Sequence, residues 1–185
     1  LCYGAIFSIG LAGTLLSVGV QSLLPFIWVL PLAIFQIYID ASRQSRKLIP
    51  ELTGAIVMSA SIAAIGLAAN MPLVDAAALW AIFASRSIAS ILYVRERLRL
   101  EKGKRYSRII PTLAHVAALL LVSMLAFYGL SSFLTIMAMS VLAYRAIAGL
   151  SAGRSKMKVM QIGVWEIIYG VLVVLSVVIG HYSGF

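Results

Sequence analysis

The feature that most constrains this chain is a series of long, unbroken apolar runs, separated by short segments that alternate between strongly basic and uncharged. A hydrocarbon core of ~30 Å is crossed by about 20 apolar residues in helical conformation. That window marks seven segments, 3–21, 24–40, 50–69, 74–94, 109–129, 132–150 and 160–180. The second is the shortest, with Pro25 and Pro31 near its start; Pro50 and Pro111 open the third and fifth, where a missing N–H is harmless. The runs are continuous rather than alternating, which excludes strands. The chain is 62% hydrophobic and 11% charged, with a mean hydropathy of +1.03, whereas a soluble domain carries about a quarter charged residues. A soluble fold of this size would still expose roughly 30% of its surface, so the apolar surplus needs lipid as its solvent. The expected fold is all-α: a polytopic transmembrane helical bundle of about seven spans, forming a single domain over residues 1–185.

Charge placement sets the expected orientation. Segment 41–49 holds Arg43, Arg46 and Lys47; segment 95–108 holds Arg95, Arg97, Arg99, Lys102, Lys104, Arg105 and Arg108; segment 151–159 holds Arg154, Lys156 and Lys158. The alternate connections, 21–24, 70–73 and 130–131, hold no Lys or Arg. This asymmetry puts the three basic segments in the cytoplasm, Leu1 near the same face and the C-terminus outside. A net charge of +9 would suggest nucleic acid in a soluble protein. Here the cations meet anionic lipid head groups and fix topology, so the expected partner is the lipid bilayer and not nucleic acid. Tyr38, Tyr93 and Tyr106 suit an interfacial aromatic belt on that side. Cys2 has no cysteine to pair with, and one Cys with the distant His115 and His181 makes no metal-ligand set.

Ionisable residues inside the spans carry the functional signal, since each costs at least ~2.5 kcal/mol on insertion scales unless it is partnered. Arg86 lies eight residues from the cytoplasmic end of its segment, about 12 Å deep at 1.5 Å per residue. Glu166, His115 and Arg145 lie five or six residues from the cytoplasmic ends of theirs. All four therefore share the cytoplasmic third of the bilayer. Arg86, Ser90, Tyr93 and Arg97 follow i, i+4, i+7, i+11 spacing and form one helical stripe. Arg108, Thr112 and His115 form a second, and Glu166 with Tyr169 a shorter one, while Gln161 points roughly 140° from Glu166. These surfaces are expected to line a polar pocket open to the cytoplasm, with Arg86 and Glu166 as its ion pair. Each residue has an ordinary structural explanation as well. Arg145 is close enough to the interface to snorkel, His115 can bond a neighbouring helix, and Arg86 with Glu166 can simply join two helices. Glu51 and Asp75 suit first turns of helices; Asp40 ends the second segment and is ambiguous.

Lys47-Leu-Ile-Pro-Glu-Leu52 is echoed by Arg108-Ile-Ile-Pro-Thr-Leu113, each opening an outward helix after a basic segment. Nucleotide-binding glycine loops, zinc-protease and nucleophile-elbow motifs, and Asp-rich Mg²⁺-diphosphate clusters are absent from the sequence. Three segments, Ser45-Arg-Lys-Leu-Ile-Pro-Glu-Leu-Thr-Gly54, Ser85-Arg-Ser-Ile-Ala-Ser-Ile-Leu-Tyr-Val-Arg-Glu-Arg-Leu-Arg99 and Gly163-Val-Trp-Glu-Ile-Ile-Tyr-Gly170, together resemble the YwiC-like family of bacterial multi-pass membrane proteins. The resemblance implies a protein of the bacterial cytoplasmic membrane, in a family without a well-established activity. Members of that family are longer at the N-terminus, and the expectation is a fragment lacking about two of nine helices. A weaker architectural resemblance is to the UbiA-type prenyltransferases, which have nine helices and a cytoplasmic cavity. Where that family carries its second Asp-rich motif, this chain has Arg95, Glu96, Arg97 and Glu101 and no aspartate, which leaves metal-dependent prenyl transfer without its residues.

Three functions compete on this sequence. In the first, the protein binds or modifies an anionic amphiphile, a lipid or prenyl-type molecule, from the inner leaflet. Arg86, Arg95, Arg97, Arg145, Tyr93 and Tyr169 hold that substrate, and Glu166 and His115 supply acid–base chemistry. The second is a small-molecule or ion transporter or exporter, which the apolar outer halves of the later helices argue against. The third is a non-catalytic scaffold. Substrate, reaction, cofactor and oligomeric state do not follow from the sequence, nor does the choice between enzyme and non-enzyme.

Overall fold

The computed structural model describes residues 2–42 and 47–183. Helices occupy all seven apolar segments: α1 (Cys2–Val18), α2 (Leu24–Ala41), α3 (Leu48–Ala68), α4 (Leu73–Glu101), α5 (Ile109–Phe127), α6 (Phe133–Gly149) and α7 (Val159–Ser183), with a 3₁₀ turn at Val20–Leu23 before α2. No strand occurs among the described residues. Helices close their backbone hydrogen bonds internally, as a segment in hydrocarbon must. Five stretches, Val20–Ile39, Leu48–Ala68, Leu73–Glu101, Ile109–Phe127 and Val159–Ser183, are long and apolar enough to cross a membrane; α6, at 17 residues, is shorter. Arg43 and Arg46, and the side chain of Asp40, lie outside what is described.

Helix α4 departs from expectation. The basic segment 95–108 has the composition of a connection, yet residues 95–101 continue the helix. Two pairs spaced for a helix surface, Glu96 to Arg99 at 2.8 Å and Arg97 to Glu101 at 2.9 Å, hold these extra turns. α3, α4 and α5 then end alike. The residue after the cap adopts a left-handed φ, at Asn70 (61°), Gly103 (65°) and Gly129 (75°). The next N–H closes back five residues, Met71 to Gly66, Lys104 to Arg99 and Leu130 to Leu125. This seals the last carbonyls of each helix without side chains, at positions suited to Gly or Asn.

The chain falls into two compact units, residues 1–84 and 85–185, divided within α4. In the first, α2 packs on α3. The packed face of α3 is Ser59, Ala60, Ala63, Ala64 and Gly66. A Cβ on Gly66 would press on Met71 Sδ at 3.2 Å. Thr53 donates to Gln36 Oε1 at 2.8 Å, joining α3 to α2, and Trp80 Nε1 donates to the Ile56 carbonyl at 3.1 Å, joining α4 to α3. Such close, small-residue contacts with interhelical hydrogen bonds suit helix association in lipid, where hydrophobic burial gives no preference.

In the second unit α6 packs on both α5 and α7, burying Thr135, Ala138, Met139, Leu142, Ala143, Arg145 and Ala146. Ser132 caps it, accepting from the Thr135 amide. Tyr93 of α4 packs with Ala146 and Leu150. The outward positions of α5 and α7 are large and apolar, among them Leu113, Leu120, Met124, Ile167, Val171 and Leu175. An apolar surface this extensive is compatible with a bilayer as its surroundings.

Gly149 is the tightest point of this packing, since a Cβ there would collide with the Tyr93 hydroxyl, whereas one on Gly163 meets nothing within 4 Å. Gly149→Ala is expected to lower stability by ~1–3 kcal/mol through overpacking. Gly163→Ala should hold or raise it, as alanine favours helix. Thermal unfolding in detergent, followed by tryptophan fluorescence, compares the two.

Candidate functional site

Four helix segments of the second unit send polar side chains inward. On α4 the 3.6-residue repeat puts Arg86, Ser90, Tyr93 and Arg97 on one face, with Ser90, Tyr93 and Arg97 buried and Arg86 half-buried. α6 contributes Arg145, and α7 contributes Glu166 and Tyr169 from the face that also buries Ile162 and Val173. α5 contributes His115.

Arg145 is the centre. Its side chain is 9% exposed, and its guanidinium carbon lies 4.3 Å from the Tyr93 ring centre and 4.6 Å from that of Tyr169. Its Nη1 donates to Glu166 Oε1 in an ion pair. Its Nε and Nη2 are buried and have no hydrogen-bond partner among the described residues. Of the two readings open for Arg145, the snorkelling one is not what is seen: a carboxylate and two aromatic faces hold it inward.

The expected Arg86–Glu166 ion pair is also corrected. The Glu166 carboxylate goes to Arg145, and Arg86 Nη2 donates to the main-chain carbonyl of Glu166 at 3.1 Å. Gly170 makes this approach feasible, since a Cβ there would stand 3.2 Å from Arg86 Nη2. Arg86 Nε and Ser90 Oγ are buried without partners among the described residues.

His115 is 2% exposed and edge-on to Tyr93, the ring centres 6.3 Å apart at 86°. Its Nδ1 lies 2.8 Å from the Pro111 carbonyl. A carbonyl only accepts, so Nδ1 carries the proton, and Nε2 of the neutral ring is a bare acceptor. Nε2 has no partner among the described residues. The rest of the α5 stripe stays outside the cluster. Arg108 is exposed and donates to Tyr106 Oη at 3.0 and 2.8 Å, and Thr112 donates to the Arg108 carbonyl.

Arg97, expected to contact a head group, works on the fold. It is 2% exposed; its Nη1 donates to the Gly149 carbonyl at the end of α6, and its Nη2 donates to the Ser155 carbonyl at 2.6 Å. It thus ties down an unsatisfied helix C-terminus and the segment beyond it. Glu101 faces both Arg97 (2.9 Å) and Arg154 (3.6 Å) as a charge pairing rather than through formed hydrogen bonds at Oε1. Arg95 is half-buried and partnered. Tyr93, placed in an interfacial belt by its depth, is a core residue covering Arg145.

The gathered set is thus Arg86, Arg145, Glu166, Tyr93, Tyr169, His115 and Ser90. Sequence reasoning missed Gly149 and Gly170, the notches that admit Tyr93 and Arg86; a glycine four residues from each of Arg145 and Glu166 was the available signal. Among the described residues no three His, Cys, Asp or Glu side chains come together as a metal site would need. The cluster thus sets two guanidiniums against one carboxylate.

A double-mutant cycle separates the two candidate pairs. Arg145→Gln with Glu166→Gln should show a coupling of at least about 1 kcal/mol in unfolding free energy. Arg86→Gln with Glu166→Gln should couple less, because a side-chain substitution at position 166 leaves in place the main-chain carbonyl that Arg86 uses.

Comparison of the chain with protein-family models, curated proteins and solved structures finds no match in any of the three.

Proposed function

We propose that this is a multi-pass protein of the bacterial cytoplasmic membrane, related to the YwiC-like family, whose Arg86–Arg145–Glu166 cluster binds the anionic head group of an amphiphile reaching it from the inner leaflet. One observation carries the reading. Arg86 and Arg145 converge on a single glutamate, leaving one positive charge uncompensated beside helices whose outward faces are apolar. An unbalanced charge is costly in that setting, and a bound anion removes the imbalance. The three basic segments support an orientation in which the cluster faces the cytoplasmic leaflet and the C-terminus lies outside. Tyr93 and Tyr169 keep Arg145 in place, and His115 offers an acceptor nearby. Glu166 acts as the counter-charge holding Arg145.

A scaffold reading has its own support, because Arg86 and Arg97 each tie α4 to a main-chain carbonyl of another helix. Native mass spectrometry of protein released from a mild neutral detergent distinguishes the two. The wild type should retain one anionic amphiphile per chain, Arg86→Gln/Arg145→Gln should lose it, and Arg108→Gln, altering an exposed cation, should keep it. Release of only zwitterionic lipid or none from the wild type favours the scaffold.

A further inference from the structure

The cluster also specifies how the anion is held, an inference that rests on the anion-binding reading above. A guanidinium has distinct edges. Nη1 lies on the side of Cδ, while Nη2 lies away from it, so that Nε–H and one Nη2–H point the same way, side by side. In Arg145 the Nη1 end is taken by Glu166, and the Tyr93 and Tyr169 rings lie against the group. The two nitrogens left without partners are Nε and Nη2, on a side chain more than nine-tenths buried. They are the two donors of the side-on fork, whose spacing matches two oxygens of one carboxylate or phosphate. Leaving both unsatisfied in a buried setting is costly, and no hydroxyl, carbonyl or carboxylate among the described residues meets them.

Charge narrows the ligand further. Arg86 and Arg145 carry two positive charges against one negative on Glu166, and His115, whose buried Nε2 has no acceptor among the described residues for a second N–H, stays neutral and contributes none. One negative charge balances the cluster, and two would overshoot it. Arg86 Nε, also buried without a partner among the described residues, supplies a further donor in the same cluster.

We propose that the Nε–Nη2 edge of Arg145 is the seat of the ligand, and that the ligand is a singly charged oxyanion head group presenting two oxygens side by side, as a carboxylate or a phosphodiester does.

Titration calorimetry on the purified chain in dodecyl maltoside, with octanoate, dihexanoylphosphatidylglycerol and acetate as probes, tests this. The wild type should bind octanoate or dihexanoylphosphatidylglycerol one to one, and whichever binds tighter identifies the head group. Arg145→Lys keeps the charge and removes the fork, so affinity should fall about ten-fold or more, the worth of a lost charged hydrogen bond. Arg108→Lys should leave it unchanged. If no probe binds the wild type, the anion-binding reading itself fails. Acetate binding as tightly as octanoate removes the amphiphile and leaves the seat standing. If the wild type binds and Arg145→Lys binds equally well, the seat alone is wrong. Should Arg145→Lys not fold, carboxylate-¹³C octanoate on the wild type decides the matter. Its stretching bands should shift to those of a guanidinium-paired carboxylate, and bands unchanged from those in micelles would overturn the proposal.

Discussion

A guanidinium placed among apolar helices has to be surrounded before those helices can settle, and Arg145 shows what that surrounding requires. On insertion scales an arginine at the centre of a span costs ~2.5–3.5 kcal/mol, and one nearer the end, as Arg145 is, costs less. Two aromatic rings at 4.3 and 4.6 Å offset part of this, at about 0.5–2 kcal/mol each, and the Glu166 carboxylate supplies the counter-charge. The partners come from different helices, Tyr93 from α4 and Glu166 with Tyr169 from α7. Satisfying Arg145 therefore fixes the rotation of both about α6. With Tyr93 turned to α6, the repeat of α4 carries Arg86 to the α7 backbone and Arg97 to the end of α6. Gly149 and Gly170 are the points where these approaches run out of room.

Much of this was legible in the sequence. Apolar runs gave the helices, because a backbone in hydrocarbon has few alternatives, and the spacing of Arg86, Ser90, Tyr93 and Arg97 gave one face of α4. Counting residues from helix ends gave a common depth for Arg86, His115, Arg145 and Glu166, and these residues do gather. Their pairing was not legible. Depth is one coordinate, whereas partner choice depends on rotation about each axis, and nothing local to Arg145 says whether its side chain turns out to the interface or in towards Tyr169. The end of α4 is hard to place for a related reason. A dense basic segment reads as a connection until its glutamates are counted as helix-spaced partners of its arginines.

Arg86 and Arg97 also show how a chain with 15 basic and 6 acidic residues places arginines inside. Both use main-chain carbonyls as acceptors, at Glu166, Gly149 and Ser155. A carbonyl carries no net charge, so these contacts orient a cation without neutralising it. The cluster around Arg145 therefore keeps its positive excess.

The brevity of α6 has a consequence for the surrounding lipid. Its 17 residues measure about 26 Å along the axis, against a hydrocarbon thickness of ~30 Å. Its exposed stripe of Phe133, Met137, Val141 and Tyr144 offers acyl chains a shorter apolar wall than the 25 residues of α7 do. A bilayer meeting that flank would thin locally to match it. In a bilayer such hydrophobic mismatch would draw the head-group layer towards the helix carrying Arg145, shortening the path by which a polar head group would reach it.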